Sequence, residues 1–284
     1  MARLLRGAPV AQALTLSLKP RVEALRDRGV VATLAVVRVG EEASDLSYER
    51  AARRRMDAVG IATKSIALPA DCSQAELTDA IDRVNEDAGI HGCLILRPLP
   101  RTLDERAACA ALDVAKDVDG VTAGSLYGMF ANRQVGFSPC TAEAVMKLLD
   151  YYGVELAGAK VTVVGRSLVI GKPVSMLLLA ADATPTLCHT HTRELAVACR
   201  DADVVVVAAG HAKVVGAAAV RAGQVIVDVG TNWDEEAGTL VGDVDFDAVE
   251  PKVAAITPVP GGVGAVTTAI LAKHVVEAAE GLIS

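Results

Sequence analysis

Aromatic residues are scarce, with four Tyr, three Phe and one Trp making up 3% of the 284 positions. A β-sandwich core built on large rings is disfavoured by that shortage. The apolar share of 52% is carried mostly by Ala, Val and Leu and suits helices packed on a parallel sheet. An excess of basic charge is lacking too. The formal net charge of −7 argues against a general nucleic-acid surface, while leaving room for small anionic ligands. The six cysteines (Cys72, Cys93, Cys109, Cys140, Cys188, Cys199) include no C-x-x-C pair and have no zinc-site spacing. Reduced thiols in a cytoplasmic protein are expected, with no metal site. MARLLRGAPVAQAL has no long apolar stretch, so no secretory signal is expected. The uncharged run from Val253 to Ala272 is interrupted by Pro258, Pro260 and three glycines, which predicts a buried loop and helix rather than a membrane span.

What is present alternates between helical and strand-like patterns. Val10 to Arg28 reads as a helix with an irregularity at Pro20, Val31 to Val39 as a buried strand, and Ser44 to Val59 as a helix capped by Ser44 or Asp45. Ser65 to Leu68 reads as a short strand, Gln74 to Glu86 as a helix opened by Ser73, and Gly92 to Leu96 as a strand. Lys116 to Thr141, rich in Gly, Asp, Ser and Pro, reads as a hinge. A second set of β-branched runs follows: Val161–Val164, Thr184–Cys188, Val204–Ala208 and Val225–Val229. Val263 to Ala279 reads as a helix able to fold back on the first half. The fold class is α/β with mainly parallel sheets.

The second set carries a nucleotide signature. Val161 to Pro173 is a strand, a tight turn at Gly165-Arg166-Ser167 and a helix entrance at Gly171 and Pro173, where free N–H groups favour an anion. Its G-x-S-x-x-x-G-x-P pattern is not the generic dinucleotide fingerprint, so the surrounding strands strengthen the reading. NAD-binding chains usually place a carboxylate at the end of the next strand. Here that strand ends Cys188-His189-Thr190-His191-Thr192-Arg193. Hydroxyls and cations there, with Arg166, suit the 2′-phosphate of NADP. Gly165, Arg166, Ser167, Gly171, Thr190, Gly210 and Thr231 are the expected cofactor contacts. The strand end Ala208-Ala209-Gly210-His211 opens on the same crevice, as does Asp228-Val229-Gly230-Thr231, where Asp228 is read as a loop-capping carboxylate. His189 and His191 have no carboxylate or cysteine cluster beside them, which argues against a metal.

Several segments together resemble the bifunctional methylenetetrahydrofolate dehydrogenase/cyclohydrolase family. They are Val39-Gly40 leading to Tyr48, Pro98-Leu99-Pro100, Lys116-Asp117-Val118-Asp119-Gly120, Pro139-Cys140-Thr141, Gly165-Arg166-Ser167 and Ile256 to Gly264. The resemblance implies a folate-binding catalytic domain over residues 1–140, joined by a C-terminal helix at 265–284. It also implies a Rossmann-type NADP domain over 141–264, a cleft between the two, and a homodimer in the cytoplasm. The implied substrate is a tetrahydrofolate, with neither nucleic acid nor membrane as partner. Tyr48 would flank the folate's aromatic ring, Asp119 would anchor the pterin amino groups, and Pro260, Gly261 and Gly262 would line the cleft.

Two positions depart from the family pattern. Tyr48-Glu49-Arg50-Ala51-Ala52 has Ala52 where the resemblance implies a lysine one helical turn after the tyrosine, and Arg97 stands where it implies glutamine. A desolvated amine can change protonation and assist water attack, whereas alanine cannot, and arginine stays charged. Hydride transfer chiefly needs alignment. The expectation is an NADP-dependent dehydrogenase with weak or lost cyclohydrolase activity. The alternatives are a full bifunctional enzyme making 10-formyltetrahydrofolate, and a non-catalytic folate- or nucleotide-binding homologue. Arg53 and Arg55 are candidate substitutes for the lysine, but the Arg53–Arg55 run reads more simply as a solvated helix face.

Overall fold

The computed structural model describes residues 1–235 and 238–281. In chain order its elements are β1 (Arg3–Leu4), α1 (Gly7–Asp27), β2 (Thr33–Val39), α2 (Ala43–Val59), β3 (Ala62–Leu68), α3 (Gln74–Glu86), β4 (Gly92–Ile95), α4 (Glu105–Ala111), α5 (Ala123–Phe130), α6 (Cys140–Tyr151), β5 (Lys160–Val164), α7 (Gly171–Ala180), β6 (Thr184–Cys188), α8 (Leu195–Asp201), β7 (Val204–Val207), β8 (Val225–Asp228), β9 (Asn232–Asp234), β10 (Thr239–Val241), α9 (Phe246–Val249), β11 (Ala255–Ile256) and α10 (Gly264–Ala279). Two compact units form, one from Met1–Gln12 with Thr141–Thr267, the other from Ala13–Cys140 with Thr268–Ser284. Residues 282–284 of the range expected for the last helix lie outside the described residues. No described helix is long and apolar enough to cross a membrane.

The unit centred on the first half holds a parallel three-stranded sheet in the order β3-β2-β4. β2 is the middle strand, and its run Leu34–Val37 is apolar and fully buried, as burial on both faces requires. β3 starts three residues earlier than the sequence suggests. As an edge strand it can carry the polar Thr63 and Lys64. α3 opens with the expected Ser73, in a capping box with Glu76. α2 differs: its N-cap is Glu42, with no side-chain cap bond, rather than Ser44 or Asp45.

The buried face of α2 is Glu49, Ala52, Met56 and Val59, a stripe at helical spacing. Glu49 is its one charged member. Arg38 Nε donates to its carboxylate at 3.1 Å and Arg53 Nη2 at 3.3 Å, and the Ser65 hydroxyl bonds to it as well. Burial works to raise the Glu49 pKa, but the bonds from Ser65 and Arg38 outweigh it and hold the carboxyl below its ordinary value. The stability from that ionisation is therefore present at neutral pH and lost as the pH falls. Glu49→Ala should cost this unit about 3 kcal/mol, because the half-buried Arg38 would lose its carboxylate and keep only its bond to the Gly40 carbonyl. Urea unfolding followed by circular dichroism checks this, and a loss below about 1 kcal/mol would refute it.

The stretch expected as a hinge is built into this unit as far as Cys140, and the division between the units falls at its end. Asp117 is fully buried and accepts the N–H groups of Val121 and Thr122 at 3.0 and 2.7 Å. Lys116 Nζ donates to three carbonyls at the end of α3 (Val84, Asn85 and Asp87) within 2.9 Å. The polar residues that suggested flexibility satisfy backbone groups.

The other unit has a six-stranded sheet in the order β1-β11-β8-β7-β5-β6, with parallel pairings throughout. β5 has β6 on one side and β7 on the other, so the strand order reverses at its carboxyl end, where open α/β sheets place their ligands. The N-terminal residues depart from the expected grouping. β1 pairs with β11 and so belongs to this unit rather than to the first-half one.

Candidate active site and cofactor pocket

Tyr48, Arg97 and Asp119 come together within the unit centred on the first half. α2 carries Tyr48, the loop after β4 carries Arg97, and the turn after Asp117 carries Asp119. Arg97 Nη2 donates to Asp119 Oδ2 at 3.3 Å, and Arg97 Nη1 lies 3.7 Å from Glu105 Oε1. The other oxygen of Glu105 accepts the Leu99 N–H at 3.0 Å, so one carboxylate at the start of α4 holds both the Pro98–Pro100 turn and the guanidinium. Glu105 was not among the expected site residues. Its only sequence signal is an acid in a first helical turn.

Burial pushes the Asp119 carboxyl up to about 6, against the lowering by Arg97. Desolvation therefore wins over the ion pair. Tyr48 is 37% exposed overall, yet burial of its phenol and the neighbouring Asp119 push its pKa upward, so it stays protonated and can donate. This set offers a hydrogen-bonding carboxylate, a phenol and a permanent cation. It offers no amine.

Ala52 lies one turn beyond Tyr48 and is 0% exposed. Arg53 bonds Glu49 and Ser65. Arg55 is not on a solvated face as expected. It is half-buried, with Nη1 donating to the Thr15 hydroxyl at 2.8 Å and Nε to the Thr268 hydroxyl at 3.4 Å.

Pro260, Gly261 and Gly262 belong to the nucleotide unit, on the loop between β11 and α10. There the Gly261 carbonyl accepts the Gly7 N–H at 2.8 Å, and a Cβ on Gly7 would lie 2.1 Å from the Gly262 oxygen.

At the carboxyl end of β5 is a cavity of about 240 Å³. Val164, Leu195, Ala208, Ala209 and Val214 give it apolar walls, and Arg166, Ser167, His189, Thr190 and His211 supply its polar lining. Gly165 has φ +129°, and a Cβ there would meet the Ala208 carbonyl at 2.1 Å, so only glycine makes this turn. Of the expected cofactor residues, Gly165, Arg166, Ser167 and Thr190 line the cavity, and Gly171, Gly210 and Thr231 do not. Gly171 packs against the Gly165 carbonyl, where a Cβ would come within 2.1 Å, so it shapes the turn from behind. Leu195 and Val214 were missed because apolar residues in loops and short helices carry no ligand signal.

Asp243 was missed as well. Its Oδ2 accepts the N–H groups of Ala209 and Gly210 at 2.6 and 2.8 Å, and its Oδ1 accepts from Asn232 at 2.9 Å. Asp228 is a loop-capping carboxylate. It accepts the N–H groups of Gly230, Asp243 and Val244 within 3.0 Å, and burial raises its carboxyl to about 6. Together the two aspartates fix the loops that follow β7 and β8.

Comparison with known proteins matches residues 5–119 to the tetrahydrofolate dehydrogenase/cyclohydrolase catalytic domain, and residues 139–282 to the NAD(P)-binding domain of the same family. The bifunctional protein FolD of Carboxydothermus hydrogenoformans is 47% identical over 281 residues, covering 99% of this chain and 98% of its own. The crystal structure of the bifunctional enzyme FolD from Campylobacter jejuni superimposes with a TM-score of 0.96 at 34% identity, covering 100% of both chains. The Trypanosoma brucei methylenetetrahydrofolate dehydrogenase-cyclohydrolase, solved with NADP cofactor and inhibitor, gives 0.92 at 35% identity, covering 99% of this chain and 98% of its own. With both halves matched in order and nearly end to end, the chain belongs to the tetrahydrofolate dehydrogenase/cyclohydrolase family.

Proposed function

We propose that this protein is an NADP-dependent 5,10-methylenetetrahydrofolate dehydrogenase whose cyclohydrolase activity is weak or lost. The observation that carries this reading is the altered constellation beside Tyr48. A buried methyl group at Ala52 takes the place of an amine, and the Arg97 guanidinium is held between Asp119 and Glu105. Asp119 would anchor the pterin through charge-assisted hydrogen bonds and Tyr48 would flank the ring system, which aligns the reacting carbon. Pro260, Gly261 and Gly262 would leave room for the ligand.

The β5 pocket fits an adenine nucleotide. Its walls are apolar and no carboxylate is among the described residues lining it. Arg166, Ser167 and Thr190 would hold the 2′-phosphate of NADP, with Gly165 admitting the phosphates and Gly171, Gly210 and Thr231 shaping the approach. When bound, NADP supplies the hydride acceptor. A homodimer in the cytoplasm is part of the same reading.

The name "bifunctional" borne by the relatives favours a second reading, in which both activities persist. Arg55 would then be the cation to replace the lysine, but it already bonds Thr15 and Thr268.

Following NADPH formation from methylenetetrahydrofolate tests the dehydrogenase, and its absence would sink the proposal. Arg166→Ala should raise KM for NADP about 100-fold and leave KM for NAD within a few-fold, as expected for loss of one charge-assisted phosphate contact. Equal loss with both cofactors would remove Arg166 from the 2′-phosphate.

A further inference from the structure

We infer that His211 is a further donor to the cofactor's 2′-phosphate and sets part of the discrimination between NADP and NAD, an inference that rests on the NADP reading above. The sheet order places the ends of β7, β5 and β6 side by side, with Val207, Val164 and Cys188 in register. Adjacent strands lie about 4.8 Å apart, so the three ends span roughly 10 Å. Each contributes a nitrogen-bearing side chain to the same cavity: His211 follows β7, Arg166 follows β5 and His189 follows β6. Arg166 occupies the middle position.

The three groups are not equally available. His189 Nδ1 is already engaged by the N–H of His191 at 3.1 Å, which leaves Nε2 as the ring's one nitrogen free to meet a ligand. Arg166 and His211 are exposed, and neither makes a side-chain hydrogen bond or ion pair among the described residues. Both are thus uncommitted donors at this pocket, and no described carboxylate lining it competes for them.

The backbone that presents His211 is fixed as well. Gly210 has φ +72°, and its N–H and that of Ala209 are held by Asp243. The imidazole therefore leaves from an ordered strand end, which reduces the entropy lost when it closes on an anion. A phosphate met by Arg166 from β5 and by His211 from β7 is gripped from two directions, whereas a ribose hydroxyl gives the imidazole little to hold.

Calorimetric titration of the full-length protein with 2′,5′-ADP and with 5′-AMP tests this. Unaltered protein should bind 2′,5′-ADP far more tightly than 5′-AMP. His211→Ala should weaken 2′,5′-ADP about 10-fold and leave 5′-AMP within twofold, with an unchanged melting temperature. His211→Gln, which keeps a donor, should recover part of the loss. If unaltered protein prefers 2′,5′-ADP and His211→Ala keeps the full preference, the role of His211 is overturned and the NADP reading stands. If unaltered protein shows no preference, the NADP reading falls and takes this inference with it.

Discussion

Replacing Ala52 with lysine and Arg97 with glutamine in the same chain is expected to raise cofactor-independent hydrolysis of methenyltetrahydrofolate by about 100-fold or more, the usual scale of a positioned acid–base group. Position 52 belongs to the buried stripe of α2, one turn beyond Tyr48. An amine placed there loses hydration, which disfavours its charged form and brings its proton within reach of neutral pH. Arg97 has to change with it. Its guanidinium sits 3.3 Å from Asp119 and would oppose a second cation introduced near Tyr48. Ala52→Lys alone should therefore gain much less than the pair. Loss of methenyl absorbance measures the rate, and thermal melting shows whether the variant still folds. A folded double variant that hydrolyses no faster than the parent would place the missing chemistry elsewhere in the site.

Asp119→Asn should lower kcat/KM for methylenetetrahydrofolate by about 100-fold. The amide is nearly the same size, so the effect isolates charge: hydrogen bonds to an ionised partner are worth about 1.5–3 kcal/mol, and the Arg97 pair disappears as well. The pH dependence separates this from simple misfolding. With its carboxyl raised to about 6, Asp119 loses its charge as the pH falls through that value, and activity should fall with it. The stability linkage has the opposite sign. A carboxyl raised above its unfolded value favours the folded state as the pH drops from about 6 toward 4, so an acid-side loss of activity is not unfolding at this group. Asp119→Asn should lack that acid limb. An unchanged profile in the variant would assign the limb to another group.

Much of the nucleotide unit was legible because β5, β7 and β8 are runs of β-branched residues that end at Gly or polar residues, a pattern with few alternatives. β1 and β11 were not. They are two residues long and find each other across about 250 positions, so no local pattern announces them. The Lys116–Thr141 stretch misled because composition does not say where hydrogen bonds go: Asp117 and Lys116 spend theirs on backbone within the unit. Tyr48, Arg97 and Asp119 were named from motifs, and the fold brings them together. Glu105 and Asp243 were invisible because carboxylates that hold backbone or another side chain look, in sequence, like any surface acid. Arg55 was misjudged for a related reason, since helical periodicity places it on a face without saying that two threonines wait there.

The most direct measurement follows two rates on the same purified protein: NADPH formation from methylenetetrahydrofolate, and decay of methenyltetrahydrofolate without cofactor. The account predicts steady NADPH formation, accumulation of the methenyl form, and methenyl decay close to the buffer rate. Methenyl decay well above the buffer rate, keeping pace with its formation, would contradict it.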